Sequence, residues 1–197
     1  MKTVITLVFC TLIFGACSYK NVTKEQNNFR LMESSYNIAK EYPTINKILQ
    51  VKKPTGVGYI YNKDLIYSKD DGVYQSYVNN FWDEPLYKQI ESRVVFELNK
   101  ANIFITTLPS ISSIKSDLLL EMVVYDFYQI VKEDNSKVKI QITLNLVDKK
   151  TKDLISSKNF LVEKELNSIT PKEALNSYNQ AFEEFIEKVI HWLNKSQ

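Results

Sequence analysis

Residues 138–146 read VKIQITLNL, a stretch in which every second side chain is apolar. Successive side chains of a β-strand point to opposite faces of the sheet, so this alternation predicts a strand with one buried face and one face in water. A β-rich run at residues 118–131 precedes it, and another at residues 154–166 follows the turn DKKTKD. We therefore predict an antiparallel meander of three strands.

The chain after this meander predicts a long amphipathic helix. It opens with TPKE at residues 170–173, a capping box with proline at the first helical position. Apolar residues then recur at helical spacing almost to the C-terminus: Leu175, Tyr178, Phe182, Phe185, Ile186, Val189 and Leu193. Such a helix has one apolar face, which we expect to pack on the sheet.

The chain before the meander contains further strand patterns. We expect a first strand to begin within residues 29–32, an inner strand within residues 45–54, and a hairpin formed by residues 59–67 and 73–81 around the turn SKDDG. TGVGYIY at 55–61, which follows the inner strand, lacks the third glycine of a dinucleotide loop, and its glycines indicate an irregular loop or bulge instead.

A second helix follows the hairpin. Asp83 or Glu84 can cap it, Pro85 suits its first turn, and its apolar face consists of Leu86, Ile90, Val94, Leu98 and Ala101. A short strand is expected at NIFITTLP, residues 102–109. Because helical crossovers join parallel strands and tight turns join antiparallel ones, the sequence predicts a single α/β (α+β) domain. Its mixed sheet would carry one crossover helix and one C-terminal helix.

The N-terminus has the pattern of a secretory signal, with Lys2 followed by an apolar stretch at residues 4–14. This stretch is shorter than the roughly 20 residues of a transmembrane helix, and polar chain begins directly after Cys17. FGAC at 14–17 resembles a bacterial lipobox, with Phe14 where leucine is usual. We therefore predict a signal peptide over residues 1–16, cleaved after Ala16. An ordinary signal peptide with a cysteine nearby is the alternative.

The lipobox resemblance implies that Cys17 receives a diacylglyceryl thioether and an N-acyl chain such as palmitate. One acyl chain binds a membrane only marginally whereas two anchor it stably, so we expect a membrane-anchored lipoprotein. Ser18 stands where lipoproteins retained at the inner membrane often carry aspartate, which predicts the outer membrane, facing the periplasm. Residues 17–28 would be the acylated cysteine and a flexible tether, and residues 29–197 the folded domain.

Composition narrows the function classes. The 25 Lys and Arg residues nearly balance 23 Asp and Glu residues without a basic stripe, which argues against nucleic acid as a partner. Cys10 would leave with the signal and Cys17 would be acylated, so we expect no disulfide. The single histidine, His191, predicts neither a nucleophile with its base nor a zinc site. Converging carboxylates stay open as an alternative.

The segment YQSYVNNFWDEP, residues 74–85, is rich in aromatic and amide side chains. Amphipathic aromatic residues suit contact surfaces, so we select Tyr74, Tyr77, Phe81 and Trp82 as candidate interface residues. Core packing is the alternative and is favoured for Phe81 and Trp82, which leaves Tyr74 and Tyr77 as the interface pair.

Several motifs occur in a familiar order: a lipobox, a tether, IYNKDLIYS at 60–68, FWDEP at 81–85 opening a helix that contains RVVFELNKANIF, and a final meander and helix. Trp82 and Pro85 match a Trp and Pro near a helix start. With this order the chain resembles the ABC-type transport auxiliary lipoprotein family over residues 29–195.

The resemblance implies a non-enzymatic auxiliary subunit with no cofactor and no catalytic residue. Its partners would be a mammalian-cell-entry-type periplasmic protein and an ABC permease complex that moves lipids or hydrophobic solutes across the bacterial envelope, and it would form a homo-oligomer. A structural or assembly lipoprotein of the outer membrane, of the lipopolysaccharide or β-barrel assembly type, is the alternative function. An anchored hydrolase is the third.

Overall fold

The computed structural model describes residues 25–34, 42–70, 72–132 and 136–196. These residues form nine strands in one mixed sheet and two long helices. In chain order the elements are β1 (Asn27–Phe29), β2 (Ile45–Val51), β3 (Thr55–Gly56), β4 (Asp64–Asp70), β5 (Val73–Trp82), α1 (Leu86–Lys100), β6 (Phe104–Leu108), β7 (Leu118–Ile130), β8 (Lys137–Asp148), β9 (Leu154–Glu165) and α2 (Pro171–Lys195). The predicted mixed α/β domain with two helices is confirmed.

Strand β7 organises the sheet because it is paired along both edges. One edge pairs antiparallel with β8, which in turn pairs antiparallel with β9, as the meander prediction required. The other edge takes β2, β3 and β4 one after another, all parallel to β7. Beyond β2 the sheet ends at β6, and beyond β4 it continues through β5 to β1.

The core lies between one face of the sheet and the helices. The five apolar side chains of the 138–146 stretch are all 0% exposed, and α2 lies over β8 and β9. Burying one such side chain contributes about 1.5–3 kcal/mol. On β7 an irregularity between Val124 and Asp126 shifts the alternation, so the buried residues are Leu118, Leu120, Met122 and Val124 before it and Phe127 and Gln129 after it.

Helix α2 begins as predicted, but with half of the capping box. Thr170 is the N-cap, and its Oγ1 accepts a hydrogen bond from the Glu173 N–H at 3.2 Å, with Pro171 at the first helical position. The Glu173 carboxylate does not return to the Thr170 N–H. It accepts instead from the side-chain amides of Asn167 and Asn176, at 3.0 and 3.2 Å.

Three local predictions are wrong. Helix α1 has Pro85 as its N-cap without a side-chain cap, because the Asp83 carboxylate pairs with Arg30 rather than with the helix. The first strand is Asn27–Phe29 rather than a strand beginning at 29–32. Residues 58–61 form a short 3-10 helix rather than the start of a hairpin strand. Each of these depends on contacts with distant chain.

Of the two glycines at residues 55–61, Gly56 is required by the fold. It has a φ of +142°, and a Cβ atom there would lie 2.0 Å from the Val124 carbonyl oxygen. Only glycine therefore lets β3 approach β7 closely enough to pair with it. The irregular backbone expected at this motif is present.

Neither helix in the described parts of the chain combines the length and the apolar character that crossing a bilayer requires.

Candidate functional surfaces

The chain that leads from the N-terminus into the domain is fixed to the fold. Strand β1 pairs in parallel with the last residues of β5. After β1, Leu31 is 2% exposed, and its N–H donates to Gln89 Oε1 at 2.9 Å. The Met32 N–H donates to Asn179 Oδ1 at 2.9 Å. Residues 30–34, called here the docked segment, are thus hydrogen-bonded to both α1 and α2.

A buried charge holds the end of the docked segment. Glu97 on α1 is 0% exposed and forms an ion pair with Arg93, one turn earlier on the same helix. The Ser34 N–H and hydroxyl donate to the two Glu97 carboxylate oxygens, both at 2.9 Å, and Lys100 Nζ donates to the Ser34 carbonyl at 3.0 Å. A buried carboxylate is stable only with such partners, so the segment and the ion pair depend on each other.

These polar partners were missed from sequence, although a signal exists. Gln89, Arg93 and Glu97 recur every four residues, one position before each apolar residue of the α1 stripe at 90, 94 and 98. Polar residues at such spacing are usually interpreted as a solvated helix face. Here that face is covered by the docked segment, which is why all three are buried.

Strand β1 begins before the predicted start of the folded domain. The sequence predicts a tether within residues 17–28, whereas Asn27 and Asn28 belong to β1. The acylation site Cys17 and the cleavage site Ala16 lie outside the described residues, so both stay predictions.

An open groove lies beside the docked segment. It has a volume of about 550 Å³ and lies between residues 30–33 and α1, with Lys88, Arg93 and Phe96 in its wall. Arg93 Nε is buried there without a hydrogen-bond partner. The lining of the groove mixes charged and apolar side chains.

Tyr74 and Tyr77 are not brought together. Tyr74 is 48% exposed and packs edge-on against Tyr128 with ring centroids 5.0 Å apart, whereas the half-buried Tyr77 donates its hydroxyl to Gln129 Oε1 at 2.7 Å. Tyr128 and Gln129 are consecutive on β7 and therefore point to opposite faces of the sheet. The two candidate tyrosines thus lie on opposite faces, and Tyr74 is the one on the face not covered by α2.

Trp82 is a core residue, as the core-packing alternative held. It is 1% exposed and packs edge-to-face against Phe127 and Tyr178, at centroid distances of 6.0 and 5.4 Å. Its buried position at the end of β5 removes it from any interface of the folded domain. Phe81 is half-buried and pairs with Asn28 and Asp64 in the neighbouring strands.

Several titratable side chains among the described residues have pKa values shifted by their packing and hydrogen bonds. Burial raises the pKa of Tyr59, whose hydroxyl oxygen accepts the Phe127 N–H at 3.0 Å, and burial also raises the pKa of Tyr178 above its ordinary value. A hydrogen bond to Asp126 raises the pKa of Lys139. His191 is exposed on α2. Within the described ranges, no three His, Cys, Asp or Glu side chains come together in a way that could hold a metal ion.

The fold is similar to that of several solved structures. The crystal structure of protein XCC0632 from Xanthomonas campestris matches with a TM-score of 0.73 at 17% identity, covering 87% of this chain and 94% of that one. The hypothetical protein CT253 from Chlamydia trachomatis matches with a TM-score of 0.52 at 7% identity, covering 76% and 96%. At these identities the likeness shows the fold alone. No curated protein matches the chain.

A family model identifies the relationship at the level of sequence. The model of the ABC-type transport auxiliary lipoprotein component matches residues 32–189, from the docked segment through most of α2. The match includes the whole of α1, α2 as far as residue 189, and the whole of the sheet except β1. The chain therefore belongs to the family of ABC-type transport auxiliary lipoprotein components.

Proposed function

We propose that this protein is a lipid-anchored, non-enzymatic adaptor of an ABC-type system that moves lipids or hydrophobic solutes across the bacterial envelope. The family match over residues 32–189 carries the proposal. In this scheme the signal is cleaved after Ala16, Cys17 is acylated, and the domain faces the periplasm from the outer membrane. Its partners are a mammalian-cell-entry-type periplasmic protein and the ABC permease complex.

The pairing of β1 with β5 supports an adaptor role because it limits the reach of the anchor. From Cys17 to Asn27 the chain can span at most about 35 Å, at 3.3–3.6 Å per residue. The rigid domain would therefore stay within that distance of the bilayer. A partner that delivers or receives a lipid would have to approach this layer to be bound.

The chemistry of the described residues fits docking better than catalysis. Burial raises the pKa of Tyr59 and Tyr178, whereas a tyrosine that acts as a base near pH 7 needs a lowered pKa, and His191 is exposed on α2. On the sheet face not covered by α2, Tyr74 offers a half-exposed aromatic ring of the kind that is enriched in interfaces. We assign Tyr74 to the docking surface. We also propose that the domain associates with itself as a homo-oligomer.

Purification of the tagged protein from its native envelope tests this function. We expect mass spectrometry to find Cys17 acylated at the mature N-terminus, and a cell-entry-type protein, a permease and an ATPase to copurify. Cys17→Ala is the matched control and should lose membrane association. A bare Cys17 thiol, or the absence of all transport components, would contradict the proposal, and copurification of a β-barrel assembly protein would favour the assembly function.

A further inference from the structure

The loop between β6 and β7, residues 109–117, exposes two isoleucines. Ile111 is 91% exposed and Ile114 is 57% exposed. Single exposed apolar side chains are common on protein surfaces, but two of them three residues apart on one loop form a local apolar projection. We call residues 109–117 the isoleucine loop.

The isoleucine loop is held in shape by one glutamine. The Gln50 side-chain amide donates to the carbonyls of Pro109, Ser110 and Ser112, at 3.4, 3.4 and 3.1 Å. Its carbonyl oxygen accepts from Ser116 Oγ at 3.3 Å. Gln50 lies on β2, an inner strand, so the loop is connected directly to the rigid sheet.

Two charged side chains complete this framework. The Glu91 carboxylate, 9% exposed on α1, accepts the Ser110 N–H at 2.7 Å. Lys149 Nζ donates to Gln50 Oε1 at 2.8 Å and to Ser116 Oγ at 2.9 Å. The exposure of the two isoleucines is therefore a fixed feature of the fold and not the result of a loose loop.

Basic side chains lie close to the isoleucines. Lys115, next to Ile114, is exposed and forms no ion pair within the described part of the chain. Asp117, at the end of the loop, accepts the Ile48 N–H with its carboxylate at 2.8 Å. The turn after β8 lies next to this loop, since the Lys149 N–H donates to the Asp117 carbonyl at 2.9 Å. That turn adds the exposed Lys150, Lys152 and Asp153, while the Asp148 carboxylate accepts two backbone N–H groups of the turn.

We propose that the isoleucine loop is a second membrane contact, in which Ile111 and Ile114 enter the boundary between headgroups and acyl chains and Lys115 lies against anionic lipid headgroups. Apolar side chains next to basic ones are the composition that binds such a surface. The inference rests on the proposed function, because the acyl anchor supplies the high local concentration of bilayer that makes a small contact effective.

The area of the loop favours a bilayer over a protein partner. Each side of a specific protein interface buries about 800 Å². Two isoleucine side chains on a narrow loop supply only a small part of that area. A lipid surface needs no matching shape, so an insertion of this size is sufficient when the protein is already tethered.

The positions of the two contacts give them a joint role. The strand pairings show how far Asn27, where the described chain enters the sheet, lies from the isoleucine loop. Asn27 pairs with Asn80 of β5, and the next residue of β5, Phe81, pairs with Asp64 of β4. Three residues further along β4, Tyr67 pairs with Gln129 of β7, so Asn27 is level with a point about nine residues along β7 from Leu118, roughly 30 Å at about 3.3 Å per residue. Contact at the loop, together with the tether, would restrict the orientations that the sheet can take relative to the membrane.

A single-cysteine probe tests the contact in the full acylated protein. The thiol of Cys17 would be blocked by acylation, so Ile111→Cys can be labelled selectively with a polarity-sensitive fluorophore and placed in phosphatidylethanolamine–phosphatidylglycerol vesicles. We expect a blue-shifted emission and quenching by lipids brominated on their acyl chains. Val78→Cys on β5, where the native side chain is 75% exposed, is the control and should show several-fold weaker quenching. Vesicles of phosphatidylcholine alone should reduce the signal at position 111.

The outcomes separate the loop from the anchor. If the protein floats with vesicles but the probe at position 111 stays in water, the isoleucine loop is not a membrane contact and the proposed anchor stands. If the probe is shielded only when solubilised envelope proteins are added, the occupant is a protein and the inference is overturned. If the unlabelled wild-type protein does not float, the anchor itself fails, and with it the inference. Unchanged thermal unfolding of both cysteine variants would show that each is folded.

Discussion

The contact between α2 and the sheet differs from the contact between the docked segment and the two helices. Between α2 and the sheet the contact is dry and aromatic, with Phe127 stacked on Tyr178 at 5.0 Å and Trp82 against both. The docked segment, in contrast, is held on the helices by hydrogen bonds to Gln89, Glu97 and Asn179, with Leu31 as its one buried apolar side chain.

This difference has consequences for stability. An apolar contact loses free energy in proportion to the area and the cavity that a substitution leaves. A contact built on a buried charge fails when either partner is removed, because the other charge is left without compensation. The core should therefore respond to side-chain volume, and the docked segment to side-chain pairing.

The largest expected effect is in the aromatic core. Trp82→Ala should lower the free energy of unfolding by about 3–5 kcal/mol, since it leaves a cavity between Phe127 and Tyr178. Urea unfolding followed by circular dichroism measures it. Tyr74→Ala, on the half-exposed ring, is the control and should cost much less. Equal losses for the two variants would contradict the assignment of Trp82 to the core.

The buried charge should come next. Glu97→Ala leaves Arg93 and the Ser34 donors unpaired and should cost about 3 kcal/mol, with faster hydrogen exchange at the Ser34 amide. The double variant Arg93→Met with Glu97→Leu should recover most of the global stability, because it removes both charges, but it should not restore protection at Ser34. A double variant as unstable as the single one would mean that lost side-chain volume, rather than the unpaired charge, causes the loss of stability.

The cap of α2 should have a smaller effect. Thr170→Ala removes the acceptor for the Glu173 N–H and should cost about 1 kcal/mol of unfolding free energy. Glu173→Gln should change stability by only a few tenths of a kcal/mol, because this carboxylate does not close the capping box. Comparable losses for the two variants would indicate that the full box forms in solution.

The smallest effect is a pH dependence on the exposed side of α2. Hydrogen bonds from Lys164 and Lys188 lower the pKa of Glu184 below its ordinary value of 4.5. The folded state then binds this proton less readily than the unfolded state, so the contribution is complete above about pH 4.5 and is lost as the pH falls through the lowered folded pKa. Glu184→Gln should remove this part of the acid sensitivity, well under 1 kcal/mol for so exposed a pair. Identical stability–pH curves for both proteins would refute it.

Much of the fold followed from local patterns, and the errors share one cause. The alternation at residues 138–146 and the stripe of α2 were readable because the geometry of one strand or one helix sets their spacing. The caps of α1 were misassigned because Asp83 is drawn to Arg30, 53 residues earlier in the chain. For the candidate surface, aromatic content selected the segment, but only the contacts with Tyr128 and Gln129 of β7 separated Tyr74 from Tyr77. Packing against Phe127 and Tyr178 buried Trp82.

By itself, the sequence determined the strands of the meander, the C-terminal helix with its Thr170 cap, and the N-terminal pattern that predicts acylation at Cys17. Only the tertiary structure decided that β2, β3 and β4 share one edge of β7, that residues 30–34 dock on α1 and α2, and that Gln50 shapes the isoleucine loop. The physical reason is the separation along the sequence between the residues that form each feature. Periodicity arises within a few residues, whereas the hydrogen bond from Met32 to Asn179 joins residues 147 positions apart, and no local pattern encodes such a partner.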